Sequence, residues 1–254
     1  MRHFRVLLLH ELRCALLSGA TWSVAALFLA LMGAVHWFAV LECSRAPTPW
    51  TPTEGTFRLF WVPLLFILPL LTMRTFAEER RSGTLAALLT TPASATSVVW
   101  AKFLSTWTVW ALLWAAFTAF PGLTEHRLGT PGDARLADPV ALWGGLAFVL
   151  TSGLMHVAVG VLCSCITRNP ALAALLTFIA LLTLTAAGGA IDSLPIESWE
   201  WMGWLRDPAD HLRTFGHLQD FASGVIDSRP LVLYATGTLL CLGLSVLALE
   251  GQES

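Results

Sequence analysis

The stretch PVALWGGLAFVLTSGLMHVAVGVLCSCI, from Pro139 to Ile166, contains no Asp, Glu, Lys or Arg. As a helix rising 1.5 Å per residue it would measure about 42 Å, more than the roughly 30 Å hydrocarbon core of a bilayer. A helix satisfies every backbone N–H and C=O within itself, which lipid demands of any exposed segment. The stretch therefore predicts a membrane-spanning helix. Apolar runs of the same kind cover about Gly19 to Leu41, Phe57 to Met73, Val98 to Leu123, Ala171 to Ala190 and Leu231 to Leu249. The expected fold is an all-α membrane protein, a single membrane domain over residues 1–254 with six transmembrane helices.

Composition agrees. The chain is 56% hydrophobic and 13% charged, against about 25% charged in average soluble proteins. A net charge of −2 offers no basic surface for nucleic acid. Cys43 is the one cysteine expected in an outer loop, so no disulfide within the chain is predicted there. The pair Cys163 and Cys165 lacks the second ligand pair that zinc spacing requires.

The first 18 residues place Arg2, Arg5, Glu11 and Arg13 opposite a leucine-rich face. This pattern predicts an amphipathic helix lying in the membrane interface, its arginines reaching into lipid headgroups. Orientation follows from charge density. Arg2, Arg5, Arg13, Arg74, Arg80, Arg81, Lys102 and Arg168 lie in short segments near span ends, on one side of the membrane. The positive-inside rule makes that side cytoplasmic, and six spans return the C-terminus to it.

Residues 74–97 form the expected cytoplasmic loop after the second span. Its core reads FAEERRSGTLAALLTTP, from Phe76 to Pro92. Gly83 suits a left-handed helix end, and the Thr84 hydroxyl suits the N-cap of a following short helix. Leu85, Leu88 and Leu89 recur at i, i+3 and i+4, giving one apolar stripe. Such a stripe on a helix outside the bilayer needs its own bundle, lipid or a partner's groove to cover it.

This loop resembles the coupling segment of type-2 ABC exporter permeases. A second stretch, DPADHLRTF from Asp207 to Phe215 followed by FASGVIDSR from Phe221 to Arg229, resembles the gliding-motility branch of that family. One departure stands out: Ala86 and Ala87 occupy positions where the family usually carries an acid. The resemblance implies a dimer, either with a second copy or with a different permease, in the bacterial inner membrane. It also implies a cytoplasmic ABC ATPase partner that holds the ATP and Mg, with no cofactor bound by this chain. Residue by residue, it implies that Glu78, Glu79, Arg80 and Arg81 make the polar contact with the ATPase. Gly83, Thr84, Leu85, Leu88 and Leu89 would form the turn and docking face.

Trp100, Phe103, Trp107, Trp110, Trp114 and Phe117 fall on one stripe of the third span. Bundle packing or lipid contact is the first expectation for such a stripe. A dimer seam or a wall of the substrate path at Trp107, Trp110 and Trp114 is the functional alternative. His36 and His156 are the ionisable groups inside spans, where polar groups are costly and often functional. His156 suits either the substrate path or a hydrogen bond to a neighbouring helix. Lys102 and Arg168, near span ends, are expected to snorkel toward the interface. The outer loop 191–230 carries Trp199, Trp201 and Trp204, which suit a segment resting on the outer membrane surface. A short helix is expected between about Pro208 and Ala222.

Two other function classes fit parts of the pattern. An intramembrane hydrolase would use the Glu78–Glu79 pair or a Ser152/His156 dyad. A membrane scaffold would transmit force without moving substrate. No Gly-x-x-x-x-Gly-Lys-Ser/Thr loop occurs in the sequence, so phosphate-cradling chemistry is not expected from this chain.

Overall fold

The computed structural model describes residues 2–45, 48–84, 94–128, 138–193, 214–224 and 227–251. Among these, the regular elements are all helical. In chain order they are α1 (Arg2–Leu17), α2 (Gly19–Arg45), α3 (Pro52–Arg58), α4 (Trp61–Thr72), α5 (Ala77–Ser82), α6 (Ala95–Phe117), α7 (Ala119–Leu128), α8 (Pro139–Ile166), α9 (Pro170–Ser193), α10 (Thr214–Ala222) and α11 (Ser228–Glu250).

Five stretches among the described residues are long and apolar enough to cross a membrane: Gly19–Arg45, Trp61–Ser82, Ala95–Leu128, Pro139–Ile166 and Ser228–Glu250. Helix α9 has 24 residues and is apolar over Pro170–Ala186. Together these make a multi-pass helical membrane protein, with α9 standing where the fifth span is expected.

The second expected span is not one helix. Thr51 starts α3 with a reciprocal capping box: its hydroxyl accepts from the Glu54 N–H at 3.3 Å, and Glu54 Oε2 accepts from the Thr51 N–H at 3.2 Å. Pro52 at the first helical position suits that start. A turn at Leu59–Phe60 separates α3 from α4, whose 12 residues extend only about 18 Å. The expected third span continues past its predicted end, through α6 into α7.

Helix α8 is the central element and packs on α11, α9, α10, α6 and α4. Its glycines face its neighbours. A Cβ at Gly145 would lie 2.6 Å from the Phe57 ring, one at Gly153 2.6 Å from Trp110 Nε1, and one at Gly160 2.5 Å from Thr72 Oγ1. A Cβ at Gly144 would collide with the Phe221 carbonyl. Small residues let helices approach where no hydrophobic drive exists between them and lipid. The aromatic core fills the remaining space: Trp114 stacks on Phe57 at 5.7 Å and meets Phe28 edge-on at 5.4 Å.

The bundle has two ends. At the α1 end, α1 lies along α6, and Trp22 Nε1 donates to the Leu16 carbonyl at 2.8 Å, fixing the corner into α2. Leu7 packs on the core while Val6 and Leu9 of α1 are exposed. At the opposite end, buried His36 of α2 is hydrogen-bonded to Thr56 of α3 at 3.0 Å and to Thr124 of α7 at 3.1 Å. Helix α10 also sits there, with Leu218 and Phe221 buried and His217 Nδ1 3.2 Å from the Tyr234 hydroxyl. The expected helix between Pro208 and Ala222 is thus present from Thr214. Trp199, Trp201, Trp204 and the remainder of the 194–213 segment lie outside the described residues.

Candidate functional site

The polar residues of the α1 end converge on α5. The chain leaves α4 through a turn at Met73–Phe76 and re-enters a helix at Ala77. Phe76, at the N-cap, has no side-chain oxygen for the first free N–H groups. Ser164 of α8 supplies the acceptor. Its hydroxyl oxygen accepts from the Phe76 N–H at 3.0 Å and the Ala77 N–H at 3.1 Å, and its O–H donates to the Met73 carbonyl at 3.2 Å. One side chain from span four therefore fixes both the turn and the start of α5.

The second anchor is Lys102 of α6, the one lysine of the sequence. Its Nζ lies 2.6 Å from Glu79 Oε1 and 3.0 Å from Glu11 Oε1, and the Lys102 side chain is only 4% exposed. The ammonium also sits over the Phe76 ring, 5.4 Å from its centroid, a favourable cation–π arrangement. Snorkelling is therefore not what Lys102 does. Two carboxylates and a ring meet it inside the bundle, so it stays where its partners are. The triad joins three elements: α1 through Glu11, α5 through Glu79 and α6 through Lys102.

The four charged residues of α5 divide in two. Glu78 is half-exposed and pairs loosely with Arg74 Nε at 3.7 Å. Arg81 is exposed. Glu79 and Arg80 turn toward the bundle, and Glu79 Oε2, Arg80 Nε and Arg80 Nη2 are buried without a hydrogen-bond partner among the described residues. Gly83 ends the helix at φ +75°, ψ 2°, a left-handed cap that glycine adopts without cost. The Ser82 and Thr84 hydroxyls lie 2.8 Å apart, and Thr84 donates back to the Glu79 carbonyl at 3.4 Å. The N–H groups that Thr84 was expected to cap lie outside the described residues, as do Leu85, Leu88 and Leu89. Beside α5, a cleft of about 560 Å³ separates it from α2, with Glu11, Ser18, Thr21, Leu71 and Glu79 among its walls.

The other expected site residues lie in the transmembrane core. Trp110 and Trp114 are 1% and 0% exposed, enclosed by their own chain. That enclosure gives them packing contacts within the chain's own bundle. Trp110 Nε1 reaches the Val149 carbonyl of α8 at 3.4 Å, and partly exposed Trp107 reaches the Leu150 carbonyl at 3.1 Å. Gly153 makes room for the first of these contacts. His156 is buried, with Nδ1 2.6 Å from the Ser152 carbonyl. A ring nitrogen facing a carbonyl must carry the proton. That bond takes the place of one to the Ser152 hydroxyl, so the two residues do not form a nucleophilic dyad.

Sequence reasoning missed Lys102 and Ser164 as site residues. A single lysine in a chain otherwise basic through arginine was a usable signal. Nothing in the sequence singled out Ser164 from the other small polar residues in the spans.

Residues 55–206 match a family model described as ABC-2 family transporter protein. No curated protein matches the chain.

Proposed function

Since the chain belongs to the ABC-2 family of transporter proteins, matched over residues 55–206, we propose that it is the permease subunit of an ATP-driven exporter, powered by a separate cytoplasmic ABC ATPase. The observation that carries the reading is the family match, whose span includes the helix-turn segment that follows α4 and is anchored at its root by Ser164 and Lys102. Membership makes the chain an ABC transporter permease that crosses the membrane several times. ABC-2 membrane domains are typically non-catalytic and usually work with a cytoplasmic ATPase, so ATP and Mg would reside on that partner.

On this reading the α1 end faces the cytoplasm of a bacterial inner membrane, and both termini lie there. The density of Arg2, Arg5, Arg13, Arg74, Arg80 and Arg81 at that end supports the orientation. The exposed Val6 and Leu9 of α1 would enter the lipid interface. Glu78 and Arg81, turned outward on α5, would meet the ATPase, together with the Leu85, Leu88 and Leu89 face. The likeness of residues 207–229 to the gliding-motility branch supports placing the protein there. Pairing with a second permease, identical or different, would complete the transporter.

The test is purification of the tagged protein from its native membrane in mild detergent, with and without the double change Leu88→Glu and Leu89→Glu. We expect an ATPase to co-elute with the unaltered chain and to be lost from the doubly changed one, while both elute as folded permease. An eluate without ATPase, or one whose ATPase survives the double change, would overturn the reading of this segment.

A further inference from the structure

We propose that Lys102 is a positioning residue that joins α5, α1 and the third span into one moving body, so that displacement of α5 is carried into the membrane. The inference rests on the reading of α5 as the ATPase-facing helix but concerns what happens behind it.

The geometry points to a joint in the following way. Helix α5 has six residues, too few to hold a fixed orientation by its own hydrogen bonds. Its start is pinned to α8 by Ser164, close to its axis. A pin at one end permits rotation about that end. What fixes the rotation is the contact two residues after Ala77, where Glu79 Oε1 meets Lys102 Nζ at 2.6 Å. The same ammonium holds Glu11 at 3.0 Å, so α1 follows whatever Lys102 and Glu79 do. With its side chain 4% exposed, the ammonium sits in a low-dielectric setting that strengthens attraction to both carboxylates. It also makes separation from either of them costly. Lys102 lies in the second turn of α6, directly on the span that it would drive.

Two further observations fit a joint that works between positions. The cleft of about 560 Å³ beside α5 leaves space for the helix to swing toward α2. Glu79 Oε2 and the Arg80 Nε and Nη2 atoms are buried without partners among the described residues, so the described part of this arrangement leaves polar capacity unused on the very turn that would move. A buried group without a partner is unfavourable, and a swing of α5 is a direct way to relieve it.

The experiment is amide hydrogen exchange, on the purified permease and on its complex with the co-eluting ATPase. In the free permease, Lys102→Met should raise exchange about tenfold in both α1 and α5 while α8 stays protected. Lys102→Arg, which keeps the charge, should stay within about threefold of the unaltered protein. In the complex, a non-hydrolysable ATP analogue should change exchange in α5 and the first turns of α6. In Lys102→Met the change should stop at α5. Unchanged exchange in α1, or a nucleotide response that still reaches α6, would overturn the joint. If Lys102→Met also exposes α8, Glu11→Gln decides instead, because it leaves the Lys102–Glu79 contact in place: α1 alone should then exchange faster, and no change there overturns the proposal. Failure to recover any ATPase sinks the exporter reading only, since exchange in the free permease still decides whether the three helices are joined.

Discussion

Single atoms set the distances in this bundle, and Gly153 shows how. A Cβ there would sit 2.6 Å from Trp110 Nε1 and 2.9 Å from its Cδ1. The indole has nowhere to go, because Phe28 lies 6.4 Å from its centroid and Trp114 5.9 Å, both edge-on. The substitution Gly153→Ala gains up to about 1 kcal/mol of helix propensity. Against that, overpacking in a filled core costs about 1–3 kcal/mol, and the bond from Trp110 to the Val149 carbonyl is lost as well. The net effect should be destabilising. Gly243 in α11 is the control, since nothing lies within 4 Å of its Cβ position, so Gly243→Ala should be neutral or mildly stabilising. Thermal midpoints in detergent, followed by size exclusion after heating, should therefore fall for Gly153→Ala and hold or rise for Gly243→Ala. Equal midpoints would mean that α8 and α6 are not as close as these contacts require.

At the level of elements, the most dependent helix is α5, whose first N–H groups have Ser164 as their acceptor. Ser164→Ala leaves those two buried donors unsatisfied, at a cost of about 1–3 kcal/mol, and the local opening of α5 should increase by about tenfold or more. Trypsin cuts after Arg80 and Arg81 only when the helix opens, so nicking there should accelerate by a similar factor, read by mass of the fragments. Thr167→Ala removes a hydroxyl that, among the described residues, bonds within its own helix end, to the Cys163 carbonyl, and should leave the rate unchanged. The contrast between these two residues also marks the limit of what sequence could tell. The apolar runs, the Gly83 helix end and the amphipathic first helix follow from local pattern, because helix periodicity and cap chemistry are local. Both Ser164 and Thr167 read alike as small polar residues near a span end, and their different partners come from how α4 and α8 meet in space. The same holds for Lys102. Its flank position suggested snorkelling, and the long-range approach of Glu11 and Glu79 reversed that. The break at Leu59–Phe60 is not legible in the sequence because the hydropathy of the run is continuous across it, while the Thr51 capping box that starts a separate helix is a matter of four residues.

Across the whole molecule, the two ends differ in chemistry as well as position. The α1 end holds the Lys102 ion triad and the arginines of α1 and α5, whereas the ties of the opposite end include the neutral contacts of His36 with Thr56 and Thr124. A charge-rich end stays on the side where the protein is made, because moving lysine and arginine across a bilayer is costly. Cysteines distributed along the molecule make this testable without new labels. Cys14 of α1 is exposed, Cys43 at the far end of α2 is partly exposed, and Cys163, Cys165 and Cys241 are buried. Cys43 is held by contacts to Thr48 at 3.2 Å and the Trp50 carbonyl at 3.7 Å, which slow its reaction without shielding it. A membrane-impermeant maleimide applied to right-side-out vesicles should label the Cys14→Ser variant, through Cys43, and spare Cys43→Ser. Inside-out vesicles should give the reverse, with Cys14 modified and Cys43 spared. The opposite pattern would put α5 and its ion triad on the outer face, where no cytoplasmic ATPase reaches it. The exporter assignment and the Lys102 joint's coupling role would then fall together, although the helical bundle itself would stand unchanged.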